Sequence, residues 1–311
     1  MFKIVFFGTS TLSKKCLEQL FYDNDFEICA VVTQPDKINH RNNKIVPSDV
    51  KSFCLEKNIT FFQPKQSISI KADLEKLKAD IGICVSFGQY LHQDIIDLFP
   101  NKVINLHPSK LPLLRGGAPL HWTIINGFKK SALSVIQLVK KMDAGPIWKQ
   151  QDFLVNNDWN TGDLSIYVEE HSPSFLIECT KEILNKKGKW FEQIGEPTFG
   201  LNIRKEQEHL DLNQIYKSFL NWVKGLAPKP GGWLSFEGKN IKIFKAKYVS
   251  KSNYKHQLGE IVNISRKGIN IALKSNEIIS IEKIQIPGKR VKEVSEIING
   301  KHPFVVGKCF K

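Results

Sequence analysis

No run of apolar residues in the chain approaches the ~18 that a membrane-spanning helix requires, so no membrane partner is expected. Six cysteines (Cys16, Cys29, Cys54, Cys84, Cys179 and Cys309) are scattered without a C-x-x-C pair. That spacing argues against a disulfide scaffold or a zinc site and fits a reducing compartment. The first apolar strand turns through Gly8-Thr9-Ser10-Thr11-Leu12-Ser13, which lacks G-x-G-x-x-G, so a dinucleotide cofactor is not indicated. G-x-x-x-x-G-K-[ST], H-E-x-x-H and G-x-S-x-G are also missing, and no metal is expected at the site. The N-terminus has neither a signal-peptide layout nor an Arg/Ser-rich transit segment. A cytoplasmic protein is expected, or one of an organellar matrix if a leader has been removed.

Acidic residues are the scarcer charge, with 31 Asp+Glu against 45 Lys+Arg. The imbalance is local. Residues 1–200 hold 24 basic and 22 acidic side chains, whereas residues 201–311 hold 21 and 9. A nearly neutral body therefore carries a basic final third, which suits a phosphate backbone or another anionic surface. The 311 residues are enough for two domains, and 41% hydrophobic residues provide for a sizeable core.

The first half alternates apolar strands (Lys3–Gly8, Glu27–Thr33, Ala79–Phe87, Lys102–His107) with helical patterns (Thr11–Phe21, and Ser48 capping a helix through Leu55). Continuous apolar strands between helices predict an α/β domain with a Rossmann-like, mostly parallel sheet and ligands at the strands' carboxyl ends. Strands at Ser134–Leu138 and Trp148–Val155 precede a long helix from Thr161, which Pro173 is placed to kink or split. After a helix at about Leu212–Val223, short strands alternate with Gly turns, predicting a small antiparallel β-barrel of OB-like type. The expected domains are 1–189, a linker over 190–206, and a basic barrel over 207–311.

The densest chemistry lies at the end of one buried strand. Asn105 and His107, at i and i+2, share a face and point to where such sheets bind ligands. An amide donor beside an imidazole can stabilise an oxyanion and move a proton. Lys141-Met142-Asp143-Ala144-Gly145-Pro146 is read either as an ordinary turn or as the source of a third group, Asp143, folded back near His107. Such a trio would suit transfer of a carbonyl-containing group to an amine. The polar run 34–49 reads by itself as a solvated loop carrying Lys37, His40, Arg41 and Lys44.

These residues together resemble the folate-dependent formyltransferases. The likeness rests on Asn105-x-His107, Ser109-Lys110-Leu111-Pro112, Arg115-Gly116 and Asp143-Ala144-Gly145, in that order. Val32–Lys37 with Arg41, Lys44 and Pro47-Ser48, together with Trp233–Ala246, Gly259-Glu260-Ile261, Ile286–Lys289 and Phe304–Gly307, narrow the likeness to members acting on methionyl-tRNA. The resemblance implies transfer of a formyl group from 10-formyltetrahydrofolate to the α-amino group of methionyl initiator tRNA, with Asn105, His107 and Asp143 catalytic. It places Ser109, Lys110, Leu111 and Pro112, with Phe87, Gly88, Gln89, Tyr90 and Leu91, against the folate. Lys37, Arg41 and Lys44 would face the tRNA, and the protein would act as a monomer. Lys110 stands where the family usually has Leu, so its head must turn outward or meet the folate's negatively charged tail. The rival reading is a folate-dependent N-formyltransferase for a small amine, an amino sugar or a purine precursor. It shares the trio and does not require the basic module.

Overall fold

The computed structural model describes residues 1–39 and 44–311. The chain divides into two compact units. The first comprises 1–119, 130–154 and 166–201, and the second 120–129, 155–165 and 202–311.

In the first unit, β1 (Phe2–Gly8) leads into α1 (Thr11–Phe21), and β2 (Phe26–Val32) into the short strands β3 (Lys37–Asn39) and β4 (Lys44–Val46). Then come α2 (Asp49–Lys57), β5 (Phe61–Phe62), α3 (Lys71–Lys76), β6 (Ile81–Val85), α4 (Gln93–Ile96) and β7 (Val103–His107). After α5 (Pro119–Ile125), β8 (Lys130–Gln137) and β9 (Ile147–Leu154) complete a seven-stranded sheet of order β5-β2-β1-β6-β7-β8-β9. The pairings from β5 to β7 are parallel and the last two antiparallel, so the mostly parallel α/β sheet expected from the sequence is present. Local signals set the helix starts. Ser10 and Ser13 form a reciprocal capping box on α1, and Ser48 Oγ accepts the Lys51 amide at 3.0 Å on α2. Ile4 to Phe7 of β1 are wholly buried. The chain leaves β1 toward β2 on one side and returns to β6 on the other, which puts the crevice of an open α/β sheet at their carboxyl ends.

Three elements differ from the sequence reading. The run 34–49 is not wholly loop, because β3 and β4 pair as an antiparallel hairpin with Ile38 opposite Ile45. The β-branched residues at 38, 45 and 46 favour that pairing. Arg41 and His40 lie outside the described residues. Helix α6 (Thr161–Leu184) runs unsplit through Pro173. The buried Leu176 and Cys179 hold the turns that follow it. Segment 190–201 adds isolated bridges to the first unit, Phe191 with Ile147 and Phe199 with Arg115.

The second unit contains α7 (Tyr216–Leu226) and β10 (Gly232–Phe236), β11 (Lys239–Lys251), β12 (Ile261–Ser265), β13 (Gly268–Ala272), β14 (Glu277–Gln285) and β15 (Lys292–Glu293), with α8 (Val294–Ile297). Its antiparallel sheet runs β10-β11-β14-β13-β12, with β15 on β14. Register shifts along β11 mark bulges, which bend a long strand enough to coil a small sheet. The chain's last residues join the two ends of this order. Lys311 exchanges backbone hydrogen bonds with Ser235 of β10 at 2.8 and 2.7 Å, while the Ile261 amide of β12 donates to Lys308 at 2.8 Å. Phe310 seats the segment against Phe236, ring centroids 4.8 Å apart. The expected small antiparallel barrel is thus built, and its seam is the C-terminal tail.

Phe310 is 1% exposed, so Phe310→Ala should cost about 3–5 kcal/mol of stability, read by urea titration. An unchanged midpoint would mean that the tail does not close the barrel.

Candidate active site

Strand β7 places Asn105 and His107 on one face, two residues apart. His107 is buried, and its Nε2 lies 3.0 Å from the Leu114 carbonyl. A carbonyl only accepts, so Nε2 carries the proton. Nδ1 then faces Asp143 Oδ2 across 3.6 Å, too long for a direct hydrogen bond. Among the described residues the Asn105 carboxamide has no hydrogen-bond partner, and it is half-buried.

Asp143 does fold back to His107, as the trio requires. Its Oδ2 accepts the Gly116 amide at 2.8 Å. Its backbone is left-handed, φ +47°, a conformation that Asp tolerates through its short polar side chain. The tight turn needs Gly145, where a Cβ would lie 1.8 Å from the Gln137 carbonyl oxygen.

Gln193 holds this turn from outside. Its Nε2 donates to the Asp143 and Gly145 carbonyls at 2.8 and 2.9 Å. Its Oε1 accepts from Arg115 Nε and Nη2 at 3.1 and 2.7 Å. All the amide's bonds are thereby directed, and the buried Arg115 guanidinium gains its partner. Sequence reasoning placed Gln193 in a linker. Nothing local marked it, because its partners lie 48 to 78 residues away.

The loop after β7 is braced from several sides. Ser109 Oγ donates to the Leu113 carbonyl at 2.6 Å, and the Ser109 carbonyl accepts from Ser134 Oγ at 2.6 Å. Gln150 Nε2 donates to the Leu111 carbonyl at 3.1 Å. Ser109 is therefore a loop brace, its hydroxyl already engaged. Lys110, Leu111 and Pro112 line an open cleft of about 440 Å³, with Ile147, Phe191 and Ile194 completing its apolar wall. The Lys110 ammonium turns outward to an ion pair with Asp152.

The second expected ligand segment follows β6. Phe87 and Leu91 are buried in the core, Phe87 packing edge-on against Phe7, so their side chains are not free for a ligand. Gly88 and Tyr90 are exposed and Gln89 is half-buried. Ser86 and Gly88 both take left-handed backbone, φ +44° and +79°. Cys84, paired with Asn105 across the sheet, is buried, which pushes its thiol up to about 12, and the Asp143 charge adds to the shift. Among the described residues, no group of three or more His, Cys, Asp and Glu is placed to hold a metal. Lys37 and Lys44 lie on the two hairpin strands.

Residues 2–180 match the formyl transferase family, and residues 202–302 match the formyl transferase C-terminal domain. The chain is 66% identical over 310 residues to the methionyl-tRNA formyltransferase of Mycoplasma pneumoniae, covering 100% of both. The chain belongs to the methionyl-tRNA formyltransferase family. Solved structures of lower identity share this formyltransferase's fold. An N-formyltransferase from Helicobacter canadensis, in complex with folinic acid and dTDP-3-aminofucose, aligns with a TM-score of 0.67 at 17% identity, over 90% of this chain and 99% of that one. HypX from Aquifex aeolicus, in complex with tetrahydrofolic acid, aligns at 0.61 and 17% identity over 95% of this chain and 46% of its own.

Two measurements check this geometry. Gln193→Ala leaves the Arg115 guanidinium without its acceptor and should cost about 1–3 kcal/mol in urea titration. A thiol raised to about 12 is protonated at pH 8, so Cys84 in the native enzyme should resist alkylation that labels it after unfolding, as read by mass spectrometry.

Proposed function

We propose that this enzyme transfers the formyl group of 10-formyltetrahydrofolate to the α-amino group of methionyl initiator tRNA, with Asn105, His107 and Asp143 as its catalytic groups. The observation that carries the reading is identity across the whole chain, basic unit included, to a methionyl-tRNA formyltransferase. The sugar N-formyltransferase aligns over 90% of this chain but at only 17% identity, so it speaks for the fold alone.

The reaction joins the α-amine nitrogen to the formyl carbon and breaks that carbon's bond to N10 of the folate. One proton leaves the amine and one is taken up at N10. Charge develops on the formyl oxygen in between. The Asn105 carboxamide, with no other partner among the described residues, is the donor for that oxygen. His107 has both ring nitrogens directed, Nε2 at Leu114 and Nδ1 toward Asp143. It takes the amine's proton at Nδ1, where Asp143 stabilises the imidazolium, and that positive charge in turn favours the oxyanion. No metal is required for these steps.

The folate is placed against two segments. One is the braced loop of Ser109 to Pro112, and the other is segment 87–91, where Gly88 and Tyr90 are exposed. Lys110, paired to Asp152, sits at the cleft's rim and can exchange that partner for an anionic folate tail. Lys37, Arg41 and Lys44 of the hairpin region take the acceptor end. The basic barrel binds phosphates, so tRNA affinity falls as salt rises. The enzyme acts as a monomer in the cytoplasm.

The reading is tested by formyl transfer to charged initiator tRNA, with charged elongator methionine tRNA as control. Transfer to the initiator alone is expected. Absence of transfer with folate still bound would favour the small-amine reading. Asn105→Ala should lower kcat by about 10²–10³-fold, and His107→Ala by at least as much, with tRNA affinity unchanged. Unaltered turnover in both would remove the trio from catalysis.

A further inference from the structure

The root of the β3–β4 hairpin is clasped from both legs. Asp36, just before β3, accepts from Lys51 Nζ at 2.5 Å and from Gln63 Nε2 at 2.8 Å. Lys51 lies beyond β4, in the first turn of α2, so the ion pair spans the hairpin's base. A second tie repeats the pattern, with Thr33 Oγ1 2.8 Å from Ser48 Oγ. The Lys51 and Asp36 side chains are only 18% and 24% exposed, and the Lys51 and Gln63 hydrogen bonds hold the Asp36 carboxyl below its ordinary range.

The clasp continues toward the other substrate's segment. Gln63 Nε2 also donates to the Gln34 carbonyl at 2.8 Å, bridging Gln34 and Asp36. Gln34 Nε2 donates to the Phe87 carbonyl at 3.2 Å, and Gln34 Oε1 accepts from Gln89 Nε2 at 3.4 Å. Thr9 Oγ1 donates to that Phe87 carbonyl at 2.8 Å. A Cβ on Gly88 would meet Gln34 Nε2 at 3.3 Å, which places the Gln34 amide beside the exposed face of segment 86–91. One unbroken series of polar contacts therefore runs from the Phe87 carbonyl through Gln34, Gln63 and Asp36 to Lys51.

We propose that Gln34 and Asp36 are positioning residues that make the binding of folate and tRNA interdependent. The proposal rests on the placement of folate at 87–91 and of the acceptor end at the hairpin given above. Folate seated on the 86–91 segment fixes the Gln34 amide. Gln63 and Asp36 then set the hairpin's base in the orientation that receives the acceptor end. An isolated surface ion pair would contribute little, whereas this one closes a partly buried network with a defined geometry. The coupling is reciprocal, so bound tRNA must raise folate affinity by the same factor.

The test measures the Kd of the full-length enzyme for methionyl initiator tRNA with and without folinic acid. In the unaltered enzyme folinic acid should tighten tRNA binding about five- to tenfold. Asp36→Asn and Gln34→Leu should each bring that factor close to one. Asp36→Asn should leave the Kd for folinic acid alone unchanged, which also reports that the protein is folded. Absence of coupling in the unaltered enzyme, or the full factor retained in both variants, would overturn the inference. A Lys37→Ala/Lys44→Ala double variant separates the premise from the proposal. If it binds tRNA as tightly as the unaltered enzyme without folate, the hairpin is not the tRNA contact and the coupling has no basis. If it binds weakly while Asp36→Asn retains full coupling, the hairpin reading stands and the clasp alone is refuted.

Discussion

One carboxylate oxygen ties three parts of the first unit together. Asp143 Oδ2 accepts the Gly116 amide at 2.8 Å and faces His107 Nδ1 at 3.6 Å. The loop after β7, the turn after β8 and the imidazole at the end of β7 thus converge on one atom. The contacts of Gln193 and Arg115 support that convergence. The turn at Asp143 has a left-handed backbone, and two carbonyls in it are held by Gln193, which Arg115 orients in turn. Loss of any of these supports would let the carboxylate drift from the ring without touching either group directly.

The second unit works by a different physics. Its electrostatics come from number rather than placement, because residues 201–311 carry 21 basic side chains and 9 acidic ones. Some carboxylates there are already occupied, Glu282 between Lys245 and Lys247 and Glu237 by Lys308. What remains is a field suited to a polyanion and indifferent to sequence. Under the proposed reading, discrimination of the initiator falls to the hairpin and the catalytic face, while the barrel supplies affinity and encounter rate.

Local signals were legible from the chain. Helix α1 runs over Thr11–Phe21 as its spacing predicts, because Ser10 and Ser13 define its start. Ser48 caps α2 as expected, and β7 delivers Asn105 and His107 through simple period two. The distant contacts were not legible. Gln193 meets Arg115 and the Asp143 turn across some fifty to eighty residues, and an amide in an irregular stretch carries no periodic mark. Phe87 and Leu91 sit in a motif that resemblance assigns to the folate, yet burial turns both side chains into the core. Helix α7 begins at Tyr216, four residues past the expected Leu212, because Leu212 is a buried core residue preceding the helix. The barrel's seam depends on residues 308–311 returning to β10 and β12, a closure that strand spacing does not encode.

The division of labour in the trio follows from counting donors. His107 Nε2 is directed at the Leu114 carbonyl, so its proton is not free for a substrate oxygen unless that bond breaks. Nδ1 faces the Asp143 carboxylate, which would repel an oxyanion placed between them. Asn105 carries an amide with no other partner among the described residues, two positions away on the same strand face. A neutral donor that needs no rearrangement is the better partner for charge that appears only in the transition state. The imidazole–carboxylate pair is the better partner for a proton that must be held and then passed on. Under the proposed reading, two groups on β7 and one on a distant turn split oxyanion stabilisation from proton transfer, and the Leu114 carbonyl, through the tautomer it selects, sets that split.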